Sequence, residues 1–507
     1  MSNNEHLVKP IILDETGVRI AEAIEGIAGD KSCETTGEKL VKVIDSVAAA
    51  LWKEKSIEPP LKDVNFYDYD GTVVYSFTKA EFLGMSSLPA NPAHTGLRAQ
   101  GWNWTLEAAQ TYVEKYGTCE IGQMYITDDG KTRIYIRIGR SEAYTVHLKF
   151  NQSAANGVTV NWGDGSAAET AETAGNVDIT HTYEAEGDYI ITMAVADECS
   201  VRLGTNTNAG TTLANAGGSA NCFFRQGVRT AGGESGRDAL IALEIGAGVT
   251  DIGSGALNFS TNLRTVTIPQ EVAYIRSLAF VGCIMLDAIV VPAGTTEIGE
   301  IAFGWCQHAK AICLPGGLTA LKTGALRQCI VAKRISVPEG VVALPQQVFS
   351  GLNAAEVISI PDTIAGAIGQ YAFEHCYKVE TLNIPVGVTS IGNAAFKSCY
   401  NLKHIELPEG VTTIGQAAFS SCFGFEDFII PSTVTKISMF AFLYNDGMNT
   451  FHVRATTPPV LEATAFTESL PGLTIYVPYS EDHSVLNAYL AATGWSGRGD
   501  QIREEEP

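Results

Sequence analysis

The sequence predicts a mainly β, multidomain protein, in which a repeat-built β-solenoid follows a β-sandwich and a small N-terminal α+β region. Three observations predict this architecture. A repeat of about 23 residues runs from near residue 245 to the C-terminus. Alternating strands with Gly-Asp-Gly turns occupy residues 143–198. Helical and hairpin patterns fill the residues that come before them.

The composition is that of a folded, acidic chain. Of its 507 residues 45% are hydrophobic and 18% are charged, and the formal net charge is −22. This charge argues against binding to nucleic acid or anionic lipid, because both need clustered Lys and Arg. We see neither a secretory leader nor an apolar run of about 18 residues. We therefore expect synthesis in the cytoplasm, no membrane insertion and an exit route of another kind.

One large apolar residue, usually preceded by alanine, anchors each repeat unit. Anchors lie 23 residues apart, with 24 from Phe349 to Phe373 and from Phe442 to Phe466. Proline follows nine anchors by twelve residues, and Ile or Leu precedes each by five. One unit cannot bury its own apolar face, so ten units must stack. The anchors are Leu257, Phe280, Phe303, Leu326, Phe349, Phe373, Phe396, Phe419, Phe442 and Phe466.

Each unit also predicts one strand. The ninth and eleventh residues after the anchor are apolar, while the residue between them varies from Thr267 to Tyr476. Period-two alternation places one face in the core and one outside. A variable, rigidly held outer face suits recognition, although an idle solvated face would have the same pattern. The candidate binding residues are Arg334, Ser336, Thr381, Asn383, His404, Glu406, Asp427, His452 and Tyr476.

The units resemble a known repeat family. VTSIGNAAFKSCYNLKHIELPEG at 388–410 and the unit that follows it resemble BspA-like leucine-rich repeats. The resemblance covers roughly 245–500, and the last segment is similar to the usual terminal cap of the family. It implies a leucine-rich-type solenoid with its cap over 239–507. It also implies surface recognition and adhesion, without naming a ligand. We expect a binding module and not an enzyme.

Six of the eleven cysteines lie three residues after an anchor. They could form a metal or redox ladder, or a stacked column of small buried thiols. The second interpretation is favoured because Leu352 takes the same position and no histidine column accompanies the thiols. We therefore expect neither a metal nor a cofactor. The six are Cys283, Cys306, Cys329, Cys376, Cys399 and Cys422.

WGDGS at 162–166 followed by HTYEAEGDYIITM at 181–193 resembles the PKD-type immunoglobulin-like sandwich. The resemblance implies a spacer or adhesion module, expected over 141–203. We expect His181 to be packed or hydrogen-bonded rather than a catalytic base. For Asp164 we expect a turn role rather than calcium binding. Residues 204–238 are rich in Gly, Asn and Thr and predict a linker.

Two amphipathic helical patterns within residues 13–54 predict a helical segment over 1–60. It could serve docking or oligomerisation, or pack against its own domain. A small α+β domain is expected over 61–140. The segment from about residue 10 to about residue 200 is similar to one near the start of tail-associated proteins of gut Firmicutes and their phages. That resemblance implies attachment to a virion.

One motif could be enzymatic. Asp68-Tyr69-Asp70-Gly71-Thr72 matches the signature of haloacid-dehalogenase-type phosphatases, in which two aspartates and magnesium act together. The sandwich begins too soon afterwards to leave room for the α/β sheet that this chemistry needs. A hairpin with an Asp-Gly turn is favoured instead. Trp102 and Trp104 could stack on sugars, but burial in a small core is favoured.

The function expected from these features is that of a phage tail or baseplate protein. It would bind a bacterial surface polysaccharide or protein through the solenoid, and other tail proteins through its N-terminus. We expect a homo-oligomer, a trimer, located on the virion tail. One alternative is a bacterial cell-surface adhesin exported by an atypical route. The other is a magnesium-dependent phosphatase at Asp68 and Asp70.

Overall fold

The computed structural model describes residues 61–139, 144–205, 222–226, 238–462, 464–466 and 472–506. The expected helical segment over 1–60 therefore lies outside the described residues, as does most of the expected linker. Asp63–Pro507 form one compact unit. None of the helices in the described part of the chain is long and apolar enough to cross a membrane.

The α+β region has a four-stranded sheet of order β2-β1-β4-β3. Strands β1 and β4 are parallel and the other pairs are antiparallel. Thr78 caps α1 and Thr105 caps α2, and Gly117 ends α2 in the left-handed conformation. The elements are β1 (Val64–Tyr67), β2 (Val73–Phe77), α1 (Lys79–Leu83), β3 (Leu97–Trp102), α2 (Leu106–Tyr116) and β4 (Cys119–Thr127).

The next strands form two packed layers, which we call the two-sheet unit. One layer has the order β5-β10-β7-β8, and in the other β6 pairs with β9, β11 and β12. Strand β5 lies in the range expected for the α+β domain, yet it pairs with β10. The strands are β5 (Thr132–Ile138), β6 (Tyr144–Gln152), β7 (Val158–Asn161), β8 (Glu169–Thr170), β9 (Gly175–Tyr183), β10 (Gly187–Val195), β11 (Val201–Leu203) and β12 (Phe224–Gln226).

Both layers of the two-sheet unit continue into the solenoid. Strand β5 pairs with β13 (Leu240–Glu244), and β11 pairs with β14 (Val249–Ile252). A single cluster of buried side chains runs from Ile134 to Ile502. The two-sheet unit therefore closes the N-terminal end of the solenoid core, a role that the sequence did not predict.

The predicted fold class is confirmed: the protein is mainly β, with a solenoid of about 11 turns. One strand of each turn lies on what we call the strand face. The described residues contain eleven such strands, one more than the predicted units, because β13 precedes the first anchor. They are β13, β15 (Thr265–Thr267), β17 (Ala288–Val290), β19 (Ala311–Cys313), β21 (Arg334–Ser336), β22 (Val357–Ser359), β24 (Thr381–Asn383), β26 (His404–Glu406), β28 (Asp427–Ile430), β30 (Thr450–Val453) and β32 (Thr474–Val477).

A second, shorter set of parallel strands lies at the Ile and Leu column before the anchors. The sequence did not predict these strands. Each unit has only one apolar residue in this column, and a single residue cannot show the period-two alternation that indicates a strand. The strands are β14, β16 (Tyr274–Ile275), β18 (Glu297–Ile298), β20 (Ala320–Leu321), β23 (Ala365–Ile368), β25 (Gly387–Ile391), β27 (Thr413–Ile414), β29 (Lys436–Ile437) and β31 (Val460–Leu461).

The C-terminal end of the solenoid is covered by α3 (Ser484–Ala491), a 3₁₀ helix (Ser496–Gln501) and β33 (Ile502–Glu504). Strand β33 pairs in parallel with β32. Tyr489 of α3 and Trp495, which lies between α3 and the 3₁₀ helix, are both buried. Both ends of the core are thus shielded from water.

The anchors form the spine of that core. All ten are buried, and the rings of Phe396 and Phe419 stack with their centroids 5.2 Å apart and their planes 3° from parallel. Phe373 stacks on Phe396 in the same way, at 5.1 Å. Consecutive turns therefore stabilise one another mainly through ring stacking and apolar burial.

The cysteine column has a structural role in the turns. The thiol of Cys399 donates to the carbonyl of Phe373, the anchor of the preceding unit, at 3.2 Å. The other five thiols make the equivalent bond. In the unit of Phe442 the position is taken by Asn445, whose amide donates to Phe419 at 3.0 Å. The position therefore usually holds a small buried donor, although Leu352 fills it in the unit of Phe349. Within the described residues, no three His, Cys, Asp or Glu side chains are grouped to hold a metal.

These thiols should be unreactive in the folded protein. Burial raises the pKa of Cys329 and Cys399 to about 12, and the thiolate is the reactive form. We expect iodoacetamide at pH 8 to leave the six thiols unmodified in native protein and to alkylate all six in guanidinium. Peptide mass spectrometry would measure this. Native alkylation of any of the six at the denatured rate would contradict the buried column.

Candidate binding surface

The strand face is divided into a covered part and an open part. Strand β4 of the α+β region lies across β15, β17, β19 and β21, and all nine of its residues are buried. Outer positions of the covered part that were expected to face solvent, such as Val290 and Cys313, are buried beneath it. We call residues 265–359 the covered part and residues 381–477 the open part.

Polar side chains fix the α+β region on the covered part. The Asn103 amide donates to the carbonyls of Val291 and Cys313, at 3.0 and 3.1 Å. The side-chain oxygen of Asn103 accepts a hydrogen bond from the backbone amide of Gly122 at 2.8 Å. One buried amide thus joins two neighbouring turns of the solenoid to strand β4.

Two aromatic side chains repeat this mode of contact. The indole of Trp104 donates to the carbonyl of Leu314 at 2.7 Å, and the hydroxyl of Tyr112 donates to Val337 at 2.8 Å. Their rings are buried and lie 5.2 Å apart. The acceptors are backbone carbonyls at or just beyond the ends of the strands. The covered part therefore acts as a binding surface within the molecule itself.

The open face predicted from the sequence needs a correction at two candidate residues. Ser336 is 2% exposed, and its hydroxyl donates to the carbonyl of Thr118 at 3.4 Å. Arg334 contacts the buried carboxylate of Glu120, with Nε 3.3 Å from Oε1. Both residues are held by the α+β region, so neither is available to an outside ligand. The sequence pattern of a strand does not reveal a covering domain 200 residues away.

Burial of the Glu120 carboxyl group should make stability depend on pH. Burial raises the pKa of Glu120 from 4.5 to about 7, because it disfavours the carboxylate more than Arg334 and Asn65 favour it. Because the pKa of Glu120 is raised in the folded state, its protonated carboxyl group contributes stability. This stability is fully present below pH 4.5 and is lost as the pH rises through 7. Thermal melts of Glu120→Gln between pH 5 and 8 should lack this decline. An unchanged pH profile in the variant would contradict this role for Glu120.

The other candidate residues lie on the open part. Thr381, Asn383, His404, Glu406 and Asp427 are exposed on consecutive strands. His452 and Tyr476 are half-buried, and their rings stack with centroids 4.8 Å apart. The structure therefore places these seven on the same open part of the strand face. That they bind a ligand stays a prediction.

Two cavities interrupt the open part. The first, which we call the seam cavity, has a volume of about 300 Å³. Its lining includes Lys115 and Tyr116 from α2, together with Thr381 and Asn383 from β24. It therefore lies at the boundary between the α+β region and the open part. No sequence pattern pointed to Lys115 or Tyr116.

The second cavity, of about 140 Å³, lies between β26 and β28. His404, Glu406 and Asp427 line it, together with Ile429 and Arg454. Arg454 was missed as a binding candidate, although it is the one break in the proline column. Both charge signs meet in this cavity, which suits a polar or zwitterionic group.

The residues considered for catalysis have structural roles. The amides of Tyr69 and Thr72 donate to Asp68 and Asp70 within the turn between β1 and β2, each at 2.9 Å. Asp68 also contacts the His94 ring at 2.7 Å. The four-stranded sheet does not have the doubly wound order of the phosphatase fold. The hairpin interpretation of this motif agrees with the structure.

The motif residues of the two-sheet unit contact one another. The His181 ring lies 2.6 Å from the Asp164 carboxylate and stacks on Trp162 at 4.9 Å. Asp164 accepts from the Ser166 amide in the turn, and bonds to Ser166 and His181 lower its pKa to about 2. Both residues thus stabilise the turn. The PKD-type likeness of the unit stays a prediction.

The repeats of the solenoid match a known family. A model of the BspA-type leucine-rich repeat region matches residues 236–356 and 320–449, with six copies. Residues 236–449 are BspA-type leucine-rich repeats. Such solenoids are typically non-enzymatic binding proteins. A search among curated proteins gives no significant match.

Several solved structures are similar to the leucine-rich-repeat solenoid. A leucine-rich repeat protein of T. pallidum is 28% identical, and the match covers 30% of this chain and 72% of that chain, with a TM-score of 0.29. One from Bacteroides ovatus is 18% identical, covering 52% and 83%, with a TM-score of 0.29. The pneumococcal vaccine antigen PcpA is 16% identical, covering 51% and 85%, with a TM-score of 0.30. What this solenoid binds has to follow from its own surface.

Proposed function

We propose that this protein is an adhesin-like recognition protein that binds a bacterial surface ligand through the open part of its leucine-rich-repeat solenoid. The observation that carries the proposal is the division of the strand face. One part is occupied by the molecule's own α+β region, and the other presents polar side chains and two cavities to solvent. Solenoids of this type are typical of surface-binding repeat proteins.

The geometry of the open part suits recognition. Parallel strands hold neighbouring side chains about 4.8 Å apart, so a ligand meets a prearranged surface. His404, Glu406 and Asp427 are exposed, and their strands rest on the stacked anchors. A rigid surface lowers the entropic cost of ordering side chains on binding.

Within this function we further propose that the protein is carried on a phage tail or baseplate and binds polysaccharide or protein of the host cell. The support is the resemblance of residues of about 10–200 to a segment of tail-associated phage proteins. Residues 1–60, outside the described part, would then attach the chain to other tail proteins, and we propose a trimer. Light scattering of the full chain would measure the oligomeric state. A bacterial cell-surface location remains the alternative, and immunolabelling of virions against cells would separate the two.

The proposal can be tested with fluorescently labelled full-length protein and a panel of intact gut bacteria. We expect labelling of a subset of strains. The triple variant His404→Ala, Glu406→Ala and Asp427→Ala should bind those strains at least about tenfold more weakly, since each lost polar contact costs about 1 kcal/mol. The side chains are exposed, so folding should be unaffected, which circular dichroism would verify.

A matched control uses the second, shorter set of parallel strands of the same solenoid. Glu297 of β18 and Lys322, which follows β20, form an exposed ion pair, and Lys436 lies on β29 of the same set. The triple variant with alanine at these three positions should bind cells like the original protein. Equal weakening by both variants, or no binding to any strain, would argue against recognition by the open part.

A further inference from the structure

The seam cavity lies at one of the places where neighbouring strands of the strand face do not pair. Strand β22 pairs with β21 and β24 pairs with β26, but β22 and β24 belong to separate sheets. Helix α2 borders the opening from the side of the α+β region, through Lys115 and Tyr116. Three elements thus build one cavity that a flat strand face would lack.

The covered part indicates which chemistry this face accepts. There, the side-chain donors of Asn103, Trp104 and Tyr112 bond to backbone carbonyls at the strand ends. In the seam cavity, Ile360 and Asn383 occupy the corresponding strand-end positions and belong to its lining. A ligand with several hydroxyl or amide donors would repeat the contacts that the α+β region makes.

The side chains that line the cavity suit a small ring with a polar rim. Asn383 can both donate and accept, and the hydroxyl of Thr381 can do the same. The Ser359 hydroxyl already shares a hydrogen bond with the Thr118 hydroxyl, at 2.7 Å. Tyr116 adds an apolar aromatic surface. The volume of about 300 Å³ is at the lower end of the roughly 300–1,000 Å³ typical of small-molecule sites. A sugar ring has this combination of hydroxyls and an apolar face.

The charges at the cavity favour an uncharged ligand. Lys115 is already paired with Glu339 at 3.2 Å and with Asp362 at 3.3 Å. Glu356 adds another carboxylate to the lining. An anionic ligand would therefore meet an excess of negative charge, which repels it.

We propose that the seam cavity binds one ring of a neutral sugar, a hexose or N-acetylhexosamine unit of a surface polysaccharide. The inference rests on the proposed function, since it names the ligand class of the open part. The site is composite, because α2 supplies Tyr116 and the solenoid supplies Thr381 and Asn383. Sugar binding should thus require that the α+β region remains docked on the solenoid.

The test uses the full chain and saturation-transfer NMR with glucose, galactose, mannose and N-acetylglucosamine, each at 5 mM. We expect at least one of the four to bind, and glucuronate to bind less well than glucose because of its carboxylate. Asn383→Ala should weaken binding about fivefold, the effect of one lost hydrogen bond. Glu297→Gln, on strand β18 away from both cavities, should leave it unchanged.

The outcomes separate this inference from the proposed function. Binding of a neutral sugar that Asn383→Ala weakens and Glu297→Gln does not would support the seam site. If none of the four sugars binds, or if Asn383→Ala has no effect, the seam site is wrong even where labelled protein still binds cells through His404, Glu406 and Asp427. If no cells are bound, the proposed function fails whatever the NMR result.

Discussion

Replacing Phe419 with alanine is expected to lower the free energy of unfolding by about 3–5 kcal/mol, the usual cost of removing a buried phenylalanine. The Phe419 ring is fully buried and stacks between Phe396 at 5.2 Å and Phe442 at 5.5 Å. It also meets Phe428 edge-on at 5.0 Å. The cavity would lie in the middle of the stack, where the strands cannot move to fill it.

Urea unfolding followed by circular dichroism would measure this effect. Phe423→Ala is the matched control, because Phe423 is an aromatic residue of the same unit that is 50% exposed. Its loss should change the free energy of unfolding by about 0.5 kcal/mol or less. Similar losses for the two variants would mean that ring stacking in the core is not what holds the turns together.

The second large effect is expected from Gly122→Leu, which should separate the α+β region from the covered part. A Cβ atom at Gly122 would lie 2.5 Å from Cγ1 of Val290 and 2.8 Å from Cβ of Cys313. Strand β4 approaches the solenoid this closely only because glycine has no side chain. Overpacking typically costs about 1–3 kcal/mol, and a leucine here should reach the upper end of that range.

The reactivity of Cys313 reports on docking directly. Its thiol is fully buried under β4, so it should be alkylated by iodoacetamide in Gly122→Leu and remain protected in the original protein. Gly84→Ala is the control within the same region, since a Cβ there would make only ordinary contacts at 3.6 Å. Protection of Cys313 in Gly122→Leu would show that β4 tolerates the larger side chain and that docking does not depend on glycine.

The solenoid could be predicted from the sequence because its information is local and repeated. An anchor such as Phe396 recurs at a fixed spacing, and the alternation around Ile405 indicates which face is buried. Stacking then follows from the need of each unit to cover its apolar side. The sequence also favoured a stacked column of small buried thiols, and all six cysteines are buried in the structure.

The covering of the strand face could not be predicted, because its contacts join residues far apart in the chain. Asn103 and Cys313 are separated by 210 positions, and neither has a neighbourhood that indicates the other. Ser336 has the same local pattern as Asn383, yet one is buried and the other exposed. Strand β5 was assigned to the α+β domain for the same reason: alternation predicts a strand but not its partner.

The closed ends of the solenoid determine where the number of repeat units can change. The two-sheet unit holds the first turn, α3 and β33 hold the last, and β4 extends only as far as the covered part. Duplication of a 23-residue unit beyond residue 381 would leave all these contacts in place. Each inserted copy would lengthen the exposed ladder by about 4.8 Å and, like Thr381–Asn383 and His404–Glu406, add two outward side chains to it. Gene-level gain or loss of units could thus diversify ligand range while the rest of the molecule stays constant.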